Sequence, residues 1–162
     1  MKLVEQFNAD INKMSERIIN KVMSAQQEAG QKICKDIKIG APIKSGSYRD
    51  SINVSETKLN GTRITTTIYS TMTLGQRASG EINSKWDRVP LAVIIEHGTK
   101  PHFITPKKPD GILRWKDDDG IVHYAKWVWH PGTIANPHWS NALVRNRSYY
   151  SRMIRKALRK GK

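Results

Sequence analysis

Cysteine, long apolar runs, recognisable catalytic signatures and, toward the C-terminus, acidic side chains are what this sequence has little of. Cys34 is the only cysteine, which excludes an internal disulfide and suits a reducing compartment, where a lone thiol serves as a small buried hydrophobe. No apolar run approaches the roughly 20 residues of a membrane-spanning helix. Met1-Lys2-Leu3 leads into charged sequence rather than a signal-peptide core. The expectation is a soluble chain with no membrane partner. No G-x-S-x-G, H-E-x-x-H or P-loop pattern is found, so the common hydrolase, zinc-protease and nucleotide signatures are missing. Between Arg145 and Lys162 there are eight basic residues and no acid, within a chain of net charge +14. Such a tail is read two ways: as a surface for polyanions or an acidic partner, or as a solvated helix that keeps the chain soluble.

What is present fits one domain, residues 1–162, with 38% apolar residues and a mean hydropathy of −0.59. Apolar side chains at Val4, Phe7, Ile11, Met14, Ile18, Val22, Ala25, Ala29 and Ile33 fall in steps of three and four, which predicts an N-terminal helix over residues 1–39. Its stripe is longer than a small sheet can cover, so Ile11 and Ile18 are expected to meet a neighbouring subunit. Ser47 and Asp50 read as a capping box for a short helix near 47–51. Asn60-Gly61 ahead of the alternating run from Ile64 to Tyr69 predicts a hairpin. Residues 71–89 show no period; they are expected to form a mobile loop that orders on assembly, with Trp86 as its apolar anchor. The apolar run in "PLAVIIEHGT" is compatible with helix or strand. Strands are expected in "HFITPK" and "GILRWK", with a turn at "DDDG" and a single returning strand "IVHYAKWVW" carrying bulky Trp127 and Trp129. Asn136-Pro137 starts a basic helix over 136–160, with Trp139, Leu143, Tyr150, Ile154 and Leu158 marking its inner side. Two long helices flanking an antiparallel sheet of about four to six strands, in the core from 41 to 135, make an α+β fold.

The chemistry-bearing residues gather in two phrases, "EHGTKPHFITPK" from Glu96 and "HPGTIANPHW" from His130. Five histidines lie in the second half of the chain, with Glu96 and Asp117 to Asp119 nearby. A zinc site needs three or four ligands at close, rigid spacing, and a Gly-Thr-Lys-Pro turn between His97 and His102 does not provide it. "DDDG" between two strands is first a turn signal, although carboxylates there could hold Mg²⁺. The simpler reading is mechanical. Gly98 and Gly132 let the backbone turn, Thr99 and Thr133 bond the turns, and Pro101, Pro106 and Pro131 stiffen the backbone around them.

The succession "APIKSGSYRDSI", "VIIEHGTKPHFITPK" and "WHPGTIANPHWSNAL" resembles the tail-completion, or head–tail joining, family of long-tailed bacteriophages over residues 41–143. That family's first segment reads Pro-x-x-Thr-Gly-x-Leu-x-x-Ser-Ile. Pro42, Gly46, Ser51 and Ile52 match it, Ser45 replaces Thr, and Tyr48 stands where Leu is typical. Glu96, Gly98 and Thr99 match the family's Glu-x-Gly-Thr. His130, Pro131, Gly132, Thr133, Asn136 and Pro137 match its second phrase, with Trp139 where Phe is commoner. The resemblance implies a non-enzymatic subunit without cofactor. It implies a homo-oligomeric ring, hexamer or dodecamer, at the virion neck, assembled in the host cytoplasm. The implied partners are a head-side portal, adaptor or stopper ring, a tail terminator or tail tube, and the packaged double-stranded DNA that passes through. Arg145, Arg152, Arg155 and Arg159 are the candidates for contact with that DNA or with an acidic neighbour. The alternative reading is a small basic nucleic-acid-binding domain; a nuclease built on Asp117 to Asp119 is a third.

Overall fold

Steps of three and four with no internal proline give a single uninterrupted helix, α1, from Lys2 to Gly40. The computed structural model describes residues 2–43, 46–73, 89–117 and 119–159. The expectations placed on the 71–89 loop and Trp86, and on Ser45 and Asp118, fall wholly or mainly outside those residues. The chain forms two compact units, Met1–Ala92 with Pro137–Lys162, and Val93–Asn136. Among the described residues no helix is long and apolar enough to cross a membrane.

In the first unit α1 is followed by a short helix, α2 (Ser47–Asp50), and by four short strands: β1 (Ile52–Val54), β2 (Lys58–Asn60), β3 (Arg63–Thr65) and β4 (Ile68–Ser70). β2 and β3 form the hairpin expected around Asn60-Gly61, pairing Leu59 with Ile64. β1 and β4 continue the ladder antiparallel, pairing Asn53 with Tyr69. Between the two ladders the Gln27 side chain takes the place of a strand neighbour. Its amide oxygen accepts from the Thr57 backbone N–H at 2.6 Å and the Thr57 hydroxyl at 2.9 Å, and its amide nitrogen donates to Ser55 O at 3.3 Å. Backbone groups the ladder leaves open are thereby satisfied from the helix.

α1 lies between this hairpin and the last helix, α4 (His138–Arg159), and its small residues permit both contacts. A Cβ at Gly30 would stand 3.0 Å from Thr66 Cγ2, and one at Gly40 would stand 2.9 Å from His138 Cβ. Gly40, the last residue of α1, leaves room there for the start of α4. The core is built of Ala25, Ala29, Ile33, Cys34, Ile37, Ala41, Tyr48 and Ile52 with Ala142 and Ala157. Asn146, also buried, donates to Asp36 at 2.7 Å and to Ala142 O at 2.9 Å.

Two local expectations are corrected by the fold. Ser47 does not cap α2: Gly46 does, in the left-handed region at φ 81°, with no side-chain bond. The inner side of α4 is not the one marked by its large apolar residues. Leu143 and Leu158 are about half exposed, at 52% and 51%, while His138, Ala142, Asn146 and Ala157 face inward. Small residues on both helices let the axes approach, and that selects the face a quarter-turn or so away from the large ones.

The second unit holds most of α3 (Leu91–His97), which resolves the helix-or-strand ambiguity in favour of helix. After it come β5 (His102–Ile104), β6 (Leu113–Lys116), β7 (Val122–Ala125) and β8 (Val128–His130), nested so that β6 pairs with β7 inside the β5–β8 pair. The single returning strand expected from "IVHYAKWVW" is broken at Lys126-Trp127 into β7 and β8, each with its own partner. The α+β class holds, with the strands among the described residues arranged as four antiparallel two-stranded ladders.

Candidate functional site

The two Gly-Thr phrases meet. Thr99 and Thr133 form an antiparallel bridge in which each N–H donates to the other's carbonyl, at 3.0 and 3.1 Å, and their hydroxyls lie 3.3 Å apart. The glycines make the approach possible. Gly98 (φ 70°) and Gly132 (φ 86°) each face the opposite threonine's carbonyl, and an added Cβ would stand 2.3 Å from that oxygen in both cases. Gly98 N–H also closes α3 by donating to Ile94 O at 2.8 Å, as a left-handed residue after a helix does. Asn136 N–H donates to Ile95 O at 2.8 Å, and Gly132 N–H donates to His130 Nδ1 at 3.0 Å. Glu96 is buried beside this clamp and Pro131 is exposed. Pro137 supplies the carbonyl that accepts the first bond of α4, from Asn141 at 3.0 Å. The helix thus starts at His138, two residues past the 136 expected from the sequence.

The segment around Tyr48 has a different partner. Tyr48 and His138 are both buried; the phenol oxygen lies 2.9 Å from His138 Nε2 and accepts from Trp139 Nε1 at 3.0 Å. Sequence reasoning treats Tyr48 and Trp139 as apolar replacements for Leu and Phe and misses this pairing. A signal was available: each departure from the pattern adds one polar group, and the two groups bond to each other. Ser51 hydroxyl lies 2.7 Å from both Tyr48 O and Ser70 Oγ, Ile52 is fully buried, and Pro42 is exposed.

Two further titratable groups, Asp117 and Cys34, bear on the chemistry the sequence suggested. Asp117 takes both its carboxylate oxygens into the β6–β7 turn: Oδ2 lies 2.8 Å from His123 Nε2, and Oδ1 accepts from Ile121 and Asp119 N–H. These bonds, His123 foremost, hold its pKa below the ordinary carboxylate value. Asp117 thus bonds the backbone of Asp119 and Ile121 between β6 and β7, as a turn-forming aspartate does. Among the described residues no three His, Cys, Asp or Glu side chains are grouped so as to hold a metal ion. Burial raises the Cys34 thiol pKa, the opposite of what a reactive cysteine needs.

What stays open to solvent is large and of two kinds. Every side chain from Leu3 to Arg17 is exposed, including Phe7 at 65% and Ile11 at 47%; Ile18 is half-buried. In the second unit Phe103 packs edge-on against Trp127 and Trp129, with ring centroids 5.3 and 4.7 Å apart, and all three rings stay more than half exposed. The second kind is cationic. Arg147, Arg152, Arg155, Lys156 and Arg159, with Ser148 and Ser151, line a groove of about 790 Å³ along α4. Arg152, Arg155 and Arg159 are brought together as expected from their spacing. Arg145 is exposed but is not part of that lining.

The exposed surfaces are thus an extended apolar arm, an aromatic face and an acid-free cationic groove. No curated protein and no solved structure matches the chain. A family model described as "Bacteriophage HK97-gp10, putative tail-component" matches residues 5–98, from the exposed arm of α1 through the hairpin to the first half of the Gly-Thr clamp. The chain belongs to this HK97-gp10-like family of bacteriophage tail components.

Proposed function

We propose that this tail-component protein is a non-enzymatic ring subunit of the phage neck, joining the tail to the DNA-filled head. The observation that carries the reading is the apolar stripe of α1, which a lone subunit leaves in water over Val4, Phe7, Ile11 and Met14. Patches of that extent mark interaction surfaces. A closed ring of identical subunits covers such a patch on every copy. The aromatic face around Phe103 supplies a second surface for the head-side ring or the tail terminator, since aromatic anchors dominate interface energetics. Nothing in this role needs a catalytic group or cofactor. The test is light scattering of the purified protein across a concentration range, alone and with tails, with negative-stain images of the product. Rings of one size are expected, and a strict monomer under every condition overturns the reading.

The cationic groove of α4 favours a second reading, a small nucleic-acid-binding domain, because clustered Arg and Lys without acids neutralise phosphates. It requires tight, steeply salt-dependent DNA binding by the isolated subunit. The first reading requires assembly instead, with DNA contact only in the ring.

A further inference from the structure

α4 ends beside the middle of α1: Met153, Lys156 and Ala157 share a groove there with Asn20, Ser24 and Ala25. The first turns of α1 therefore project past it as an arm. The arm leaves Val4, Phe7, Ile11 and Met14 in water, with Ile18 half-buried at its end, an apolar stripe of the kind that marks an interaction surface. These positions step 4, 7, 11, 14, 18, a narrow seam of period 3.5 that fits one other helix. The buried half of α1 instead steps by four, at Ala25, Ala29, Ile33 and Ile37.

The same unit carries a second uncovered stripe. Leu143, Tyr150, Ile154 and Leu158 fall on one side of α4, and Leu143, Tyr150 and Leu158 are exposed. At its start this stripe opens into an apolar groove of about 400 Å³, walled by Ile33, Leu143, Val144 and Tyr150 with Arg147 at the rim. The lengths match: Val4 to Ile18 spans about 21 Å, and Leu143 to Leu158 about 22 Å, at 1.5 Å per residue. Charge narrows the choice of partner. The arm carries Glu5, Asp10 and Glu16 against Lys2, Lys13 and Arg17, a neutral segment in a chain of net charge +14. α4 is purely cationic from Arg145 to Arg159, so two α4 stripes facing each other would repel, while a neutral arm with Asp10 beside its seam would not. The arm is also continuous with the rest of α1 and so cannot fold back onto its own α4.

We infer that the arm of one subunit docks along the α4 stripe of a second copy, giving a head-to-tail interface in which each subunit lends its arm to one neighbour and receives another's. This deepens the ring reading and rests on it: a heterologous contact of this kind generates a ring when its rotation closes. The test uses two full-length variants at exposed positions, Ile11→Asp in the arm and Leu143→Asp in the stripe, with Tyr150→Asp as a second stripe variant. Far-UV circular dichroism and melting check that each folds. In sedimentation velocity each variant alone is expected to remain monomeric where the wild type assembles. An equimolar mixture of Ile11→Asp and Leu143→Asp is expected to yield a dimer that grows no further, since one intact arm and one intact stripe remain. If both stripe variants assemble like the wild type while Ile11→Asp does not, the arm docks elsewhere; the inference is overturned and the ring stands. A wild type that never assembles, tails included, overturns both.

Discussion

At the scale of single residues the chain is held by contacts between residues far apart in sequence, and three of them make distinct predictions. Gly98→Ala drives a Cβ into the Thr133 carbonyl and forces a left-handed residue; a loss of about 2–4 kcal/mol is expected in urea unfolding followed by tryptophan fluorescence. Gly61→Ala, whose surroundings are open within 4 Å, should cost much less. If the two cost the same, the clamp adds nothing beyond backbone strain. Tyr48 and Trp139 should be energetically coupled. In a cycle of Tyr48→Phe and Trp139→Phe, the double variant should fall short of the summed single losses by about 0.5–2 kcal/mol, whereas additive losses would deny the bond seen between them. Asp36 predicts a pH effect. The Asn146 amide, and after it Lys32, hold its carboxyl below the ordinary value of 3.8. A carboxyl depressed in the folded state contributes stability above its unfolded pKa and loses it as pH falls through the folded value. Asp36→Asn should lower the melting temperature by roughly 2–4 °C near neutral pH, with the gap closing below about pH 3.8. A gap that persists unchanged at pH 3 would assign the loss to packing.

At the scale of elements, α1 and the Asn60-Gly61 hairpin were legible because their signals are local: a period near 3.6 over nine apolar positions, and a dipeptide suited to the turn. The stripe of α1 outrunning its sheet was also legible, and the exposed arm is its structural counterpart. α4 was legible as a helix and misread in its orientation. Periodicity locates the face of large apolar residues, but α4 also has a face of small and polar ones, Ala142, Asn146 and Ala157 with His138. The small one lies inward because Gly40, Ala29 and Ala25 on α1 allow close approach there. The break at Lys126-Trp127 escaped for a related reason. "IVHYAKWVW" alternates well enough for one strand, and only the presence of two separate partners, β6 and β5, divides it.

At the scale of the whole molecule the dominant quantity is charge, with 28 basic and 14 acidic residues. If the cationic groove of α4 contacts DNA, binding of a duplex measured by fluorescence anisotropy should weaken steeply with salt. Each phosphate contact removed by substitution should lower the log–log slope by about 0.9, so Arg152→Gln with Arg155→Gln should lower it by about 1.8. An unchanged slope would leave the groove facing a protein or solvent. Much about this protein was determined by its sequence alone: two long helices and a hairpin, the α+β class, and, over residues 5–98, the order of residues that matches a phage tail-component family. Helical period, turn dipeptides and motif order are properties of neighbours along the chain, and they survive without a fold. The tertiary structure decided that Gly98 and Gly132 are halves of one clamp, that Tyr48 bonds Trp139, and which apolar stripe of α4 stays in water. Those are properties of distance in space between segments 34 to 91 residues apart. There, small differences in side-chain volume and one hydrogen-bonding atom choose among packings that the sequence pattern leaves equally open.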